Sequence, residues 1–87
     1  MAKLKDVYER RLQYQTALEI QQALRRCDDV TDVKFFSYRW PDVRAIITLS
    51  NGQRAIGTCP DCEGAFYIAM ENAKNILEGD KNDPTKR

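Results

Sequence analysis

No histidine occurs among the 87 residues. That absence removes the usual general base, the commonest metal ligand and the usual physiological pH switch. Serine nucleophiles have no histidine partner and there is no Gly-rich phosphate loop, so no catalytic residue is assigned, an enzyme is not expected and no cofactor is implied. An excess of charge of either sign is also lacking. Fourteen Lys+Arg stand against thirteen Asp+Glu, a net +1, which withdraws the bulk-charge argument for a nucleic-acid or membrane-surface protein. No apolar run approaches the ~18 residues of a membrane span, and the N-terminus lacks the apolar stretch and cleavage site of a signal peptide. Three cysteines (Cys27, Cys59, Cys62) are an odd number without an export signal. Free thiols in a reducing, cytoplasmic setting are the expectation, with no membrane partner.

What is present is ordinary globular material, 43% hydrophobic and 31% charged. A chain this short makes one domain and hides about 60–65% of its unfolded surface. The first 26 residues read as one helix. Leu4, Val7, Tyr8, Tyr14, Ala17, Leu18, Leu24 and Cys27 recur at spacings of three, four and seven, with no glycine or proline between them. Positions 5 to 26 would span ~33 Å, longer than a six- to eight-residue strand, so the end carrying Leu4, Val7, Tyr8 and Leu12 should overhang the sheet and meet a second copy or a target.

β-rich sequence follows. Val33 to Tyr38 reads as a strand, Arg39-Trp40-Pro41-Asp42 as a turn, and Val43 to Ser50 and Gln53 to Thr58 as a hairpin about Asn51-Gly52. A two-residue loop with positive φ at both positions pairs Ser50 with Gln53, Thr48 with Ala55, Ile47 with Ile56 and Ala45 with Thr58. The core face then carries Val43, Ala45, Ile47, Leu49 and Ile56; the other carries Arg44, Ile46, Thr48, Ser50, Gln53, Ala55 and Gly57. A second helix opens near Pro60-Asp61 and runs to about Glu78, with Gly79 as its stop and Cys62, Phe66, Ala69, Ala73, Ile76 and Leu77 as its apolar stripe. Residues 80–87 read as a flexible polar tail to a single 1–79 domain. The predicted fold is α+β, in the order α-β-β-β-α, a three-stranded antiparallel sheet with both helices on one face.

That order resembles the double-stranded-RNA-binding domain, most closely over Val43-Arg44-Ala45-Ile46-Ile47-Thr48-Leu49-Ser50-Asn51-Gly52-Gln53-Arg54-Ala55-Ile56-Gly57-Thr58 and the alanine-containing helix after it. The resemblance implies the layout. The family's lysine cluster, which holds phosphates across a groove, belongs at the start of the second helix, where this chain has Pro60-Asp61-Cys62-Glu63-Gly64. Carboxylates there repel a duplex backbone. Residues 1–26 carry six cations and three anions, and residues 59–79 one cation and four anions, so the two helices form a bipolar surface.

Two clusters carry candidate chemistry. Cys59-Pro60-Asp61-Cys62 leads from a strand into a helix, where a thiolate is stabilised, yet no strand follows that helix as a thioredoxin-like fold requires. Zinc needs four ligands and a monomer offers at most three thiolates, which leaves a zinc shared between subunits, thiol redox chemistry or plain packing; no metal ligand is assigned. The second cluster is aromatic and basic. With Val33 and Phe35 facing inward, Lys34, Phe36 and Tyr38 join Arg44 and Ile46 on the open sheet face, beside Arg39 and Trp40 in the turn. Aromatics and arginine around an aliphatic centre have the composition of a protein–protein hot spot, and also suit unpaired bases; with the register shifted by one, or with the long helix or a second subunit over these rings, they are ordinary core. Phe36, Tyr38, Arg39, Trp40, Arg44 and Ile46 are therefore the candidate partner-binding residues. The leading expectation is a small non-catalytic protein that binds a protein target as an inhibitor or adaptor. In size and lack of catalytic groups it looks like the inhibitors encoded by phages and mobile elements, anti-CRISPR proteins among them. The alternatives are a nucleic-acid-binding module using the open face or basic first helix, and a thiol-redox or zinc protein acting through Cys59 and Cys62. A homodimer through the N-terminal helix is the further partner expectation.

Overall fold

Thr16 divides the N-terminal helical region. The computed structural model describes residues 2–82, with side chains through residue 79. Helix α1 is Leu4–Glu9, a 3-10 turn follows at Arg11–Gln13, and helix α2 is Ala17–Arg25. Between them Tyr14 and Thr16 are extended, with ψ of 140° and 158°. The single long helix read over residues 1–26 is thus two short ones, and the reason is a capping box. Thr16 Oγ1 accepts from Glu19 N (3.2 Å) and Glu19 Oε1 accepts from Thr16 N (3.2 Å), two reciprocal bonds that start a helix rather than continue one. The break folds α1 back onto the core. Leu4 and Val7 are buried there and Tyr8 packs at its margin; Leu12 alone of the four lies exposed, in the 3-10 turn. The expected overhang does not exist, and with it goes the reason for placing a second copy at this end. The restart also moves the apolar stripe to Ala17, Ile20 and Leu24, while Leu18, read as core, is exposed.

Strands β1 (Val30–Ser37), β2 (Val43–Leu49) and β3 (Arg54–Cys59) form an antiparallel sheet in the order β1-β2-β3. Strand β1 begins three residues earlier than read, at Val30, and carries an irregularity between Val30 and Asp32. The β2–β3 register differs from the expected one by a residue: Ala45 pairs with Gly57, Ile46 with Ile56, Ile47 with Ala55 and Thr48 with Arg54. Gly52 N donates to Leu49 O (2.9 Å) and Leu49 N to Gln53 O (2.8 Å), so the loop is Ser50-Asn51-Gly52, three residues long. Only Gly52 takes positive φ, at 88°. This is the turn followed by a glycine bulge, rather than the two-residue turn. A one-residue slip exchanges faces. Ala55 and Gly57 go to the core, and Ile56 comes out onto the open side, 43% exposed.

Helix α3 is Cys62–Asn82. Asp61 caps it, its Oδ2 accepting from Gly64 N (3.1 Å) and its carbonyl from Ala65 N (2.9 Å). The helix passes Gly79 without the positive φ that a glycine stop uses, so the expected end at about Glu78 is overrun by four residues, to Asn82. Residues 83–87, read with 80–82 as a polar tail, lie outside the described residues. Helix α3 lies unusually near β3. A Cβ on Gly57 would strike Ala65 O and Ala69 N. Small residues on both elements (Ala55 and Gly57 below, Ala65, Ala69 and Ala73 above) let the backbones approach, and this contact fixes the register. Phe66 fills the centre with its ring edge-on to Phe35, centroids 5.2 Å apart. All helices lie on this one face, giving the α+β order α-β-β-β-α.

Candidate functional site

The sheet face away from the helices is a set of cross-strand rows defined by the register. Asp32, Thr48 and Arg54 form one; Lys34, Ile46 and Ile56 the next; Phe36, Arg44 and Thr58 the third. Beyond the third row Tyr38 N donates to Asp42 O (3.0 Å), closing the Arg39-Trp40-Pro41-Asp42 turn, in which the Trp40–Pro41 bond is cis. Side-chain alternation alone puts these groups on one side, because residues at even spacing in a strand share a face. The result is an aliphatic centre, Ile46 and Ile56, flanked by Phe36 and ringed by cations. Phe36 and Tyr38 are 43% and 46% exposed, and Trp40 at the turn is 94% exposed.

Arg44 is the organising charge. Its guanidinium lies 3.6 Å from the Tyr38 ring centroid, a cation–π stack that holds both side chains against the sheet. Its Nε is buried without a hydrogen-bond partner, and it takes no part in the three ion pairs found among the described residues. Lys34, by contrast, faces Asp32 at 3.9 Å. The sheet layer, residues 30–59, contains the cations Lys34, Arg39, Arg44 and Arg54 against two acids, Asp32 and Asp42.

The sheet edges are less available than the face. Gln21 Nε2 and Arg25 Nη2 of α2 both donate to Val33 O on the β1 edge (3.1 Å each). Asn72 Nδ2 of α3 donates to Ile56 O on the β3 edge (2.9 Å). Side chains thus occupy carbonyls that an added strand would use.

All six residues singled out from the sequence lie on this face or its adjoining turn. Phe36, Arg44 and Ile46 come together through the register and Tyr38, just past β1, through its stack on Arg44, while Arg39 and Trp40 sit in the turn. Sequence reasoning missed Ile56 and Arg54, which the two-residue loop had placed elsewhere. The signal was present: Gly52 suits the last position of a three-residue loop as well as the second of a two-residue one.

The cysteine motif gathers no comparable site. Cys59 ends β3 and Cys62 begins α3, both free and partly buried, with Cys59 Sγ held in the space left by Gly64. No group of three or more Cys, Asp or Glu side chains suited to a metal occurs among the described residues. At the start of α3, Asp61 is used in the cap and Glu63 Oε2 accepts from Ala17 N of α2 (3.0 Å), so both acids have structural partners. A cleft of about 300 Å³ between α1 and α2 is lined by Asp6, Arg10, Tyr14, Glu19 and Arg26, among others. Its acids too are engaged in caps, Asp6 with Lys3 N and Glu19 with Gln15 N and Thr16 N. No helix is long and apolar enough to cross a membrane among the described residues. No family model, no curated protein and no solved structure matches this chain.

Proposed function

We propose that the protein acts by binding another protein through its open sheet face, as a non-catalytic inhibitor or adaptor, in the manner of the small anti-CRISPR-type inhibitors that it resembles in size. The observation that carries this reading is the grouping of Phe36, Tyr38, Ile46 and Ile56 around Arg44 on one unpartnered face, beside Trp40. Aromatic and arginine anchors around a desolvated centre are what interfaces depend on, and their truncation typically costs ~2 kcal/mol or more. A protein target suits the face better than unpaired bases do. The middle of the sheet is aliphatic, and one face of the Tyr38 ring is already covered by Arg44. Base stacking needs free aromatic platforms, and here Phe36 and Trp40 offer them at the margin of the face and not at its centre. The lack of histidine supports binding over catalysis.

The test is retention of a partner from native host lysate after nuclease treatment. Tyr38→Ala, Trp40→Ala and Arg44→Ala should each weaken it at least tenfold, with circular dichroism unchanged. Equal retention by all three variants would remove the open face from the function. Retention abolished by nuclease would favour the nucleic-acid reading.

A further inference from the structure

We infer that the partner docks with an acidic protein surface, one that sets a carboxylate against the Arg44–Tyr38 stack and apolar side chains over Ile46, Ile56 and Phe36. The inference rests on the binding reading above and adds to it the chemistry of the partner.

Charge complementarity carries it. The described residues 2–79 hold as many cations as acids, but the fold divides them unevenly. The sheet layer keeps four cations and two acids, and Lys34 and Asp32 face each other at 3.9 Å. That leaves Arg44 and Arg54 on the face, with Arg39 at the turn, opposite nothing but Asp42. Arg44 is the one that matters. It is half-buried, its Nε has no partner, and no acid of the described chain is paired with it. An arginine in this state attracts an anion, and a carboxylate bound beside an apolar patch is desolvated enough to be selective.

The same features argue against other occupants. A second copy applied face to face would set one net-positive face against another, with Asp32 the acid on it to offset Lys34, Arg44 and Arg54, so like charge opposes the pairing. A phosphate backbone calls for a row of cations along its path. Here Ile46 and Ile56 interrupt the row, one side of the face is occupied by the Asp32–Lys34 pair, and the aliphatic centre offers bases no ring to stack on. Carboxylates interleaved with apolar side chains fit both components.

Selection from random libraries against the intact chain tests this without a known partner. A 12-residue peptide library and a single-stranded RNA library are panned in parallel on the wild-type protein, with Arg44→Gln and Ile56→Ser as comparison baits. The expected result is peptides enriched in Asp or Glu together with aromatic or aliphatic residues. Their binding should fall at least tenfold on either variant, and they should shift the amide resonances of Phe36, Arg44, Ile46 and Ile56. Face-binding peptides with no acidic excess, or with affinity unchanged in Arg44→Gln, would overturn the partner chemistry and leave the docking face intact. RNA ligands that map to the face would replace protein with nucleic acid. A concentration-dependent dimer by light scattering, lost in Ile56→Ser, would replace it with a second copy. Enrichment of neither library, with the face resonances unperturbed, would overturn the docking reading itself.

Discussion

Gly57 is the residue on which the seating of α3 depends. Any Cβ there meets backbone atoms of Ala65 and Ala69, and backbone cannot swing aside as a flexible side chain would. Gly57→Ala should therefore destabilise by about 1–3 kcal/mol through overpacking, read as a lower urea midpoint. An unchanged midpoint would mean that α3 can lift from the sheet at no cost. Cys27 gives a second test, through pH. Burial, reinforced by the carboxylates of Asp29, Asp6 and Asp28 and opposed by Lys3, pushes its thiol from 9.0 up to about 11. The folded chain thus holds a proton that the unfolded chain releases first. Stability contributed by the protonated thiol is complete below pH 9 and is lost as pH rises towards 11. Wild type should lose more stability than Cys27→Val across that window, and the two should run parallel below it. A constant difference throughout would refute the assignment. At Cys59, Cys59→Ser should leave binding unchanged and the purified protein free of stoichiometric zinc. About half a zinc per chain, lost in the variant, would instead indicate a site shared between subunits.

At the scale of elements, each helix is started by a carboxylate or hydroxyl that the sequence supplies locally. Helices α1 and α2 each receive a further carboxylate from afar, Asp29 accepting from Leu4 N (2.9 Å) and Glu63 from Ala17 N (3.0 Å). Thr16 and Glu19 cap each other, while Glu63 of α3 accepts from Ala17 N, tying the start of α2 to the start of α3. Thr16→Ala should cost about 1 kcal/mol, measured by chemical denaturation. No loss would indicate that the Glu63 contact alone sets the start of α2. The hairpin register has its own signature. Ile47 is fully buried and Ile56 is 43% exposed. Ile47→Ala should then cost about 2–5 kcal/mol, as core truncations do. Ile56→Ala should cost clearly less. Similar costs would restore the register of a two-residue loop.

For the whole molecule, the consequence of the fold is that one side is finished and the other is not. The helices close over Leu4, Ile20, Leu24, Val33, Ile47, Leu49, Phe66 and Met70, all fully buried. The open face keeps half-exposed apolar groups and an unneutralised arginine. Partner binding through it should therefore weaken only modestly between about 50 and 200 mM salt. A ligand held by several phosphates would lose orders of magnitude over the same range. Titration at the two salt concentrations separates the cases, and a steep slope abolished by Tyr38→Ala would promote nucleic acid over protein.

Local chemistry by itself determined the α-β-β-β-α order, the turn at Arg39-Trp40-Pro41-Asp42 and the opening of α3 at Asp61. Each follows from a few neighbouring residues: a period, a proline, an N-cap. The division at Thr16 was written just as locally, in Thr16 and Glu19, but an uninterrupted run of helix formers masked it. Tertiary structure decided what local chemistry leaves balanced. The packing of Phe35 on Phe66 decided that Phe36 and Tyr38 point outward. Two loops fit Ser50-Asn51-Gly52 equally well, and a chain read alone favours the one that buries Ile56. The close approach of Ala65 and Ala69 to β3 requires Gly57 beneath them, which turns Ile56 outward and completes the open face around Arg44. Register is a two-valued choice, and a packing contact between distant elements made it, because only there does the absence of a Cβ decide which residues fit.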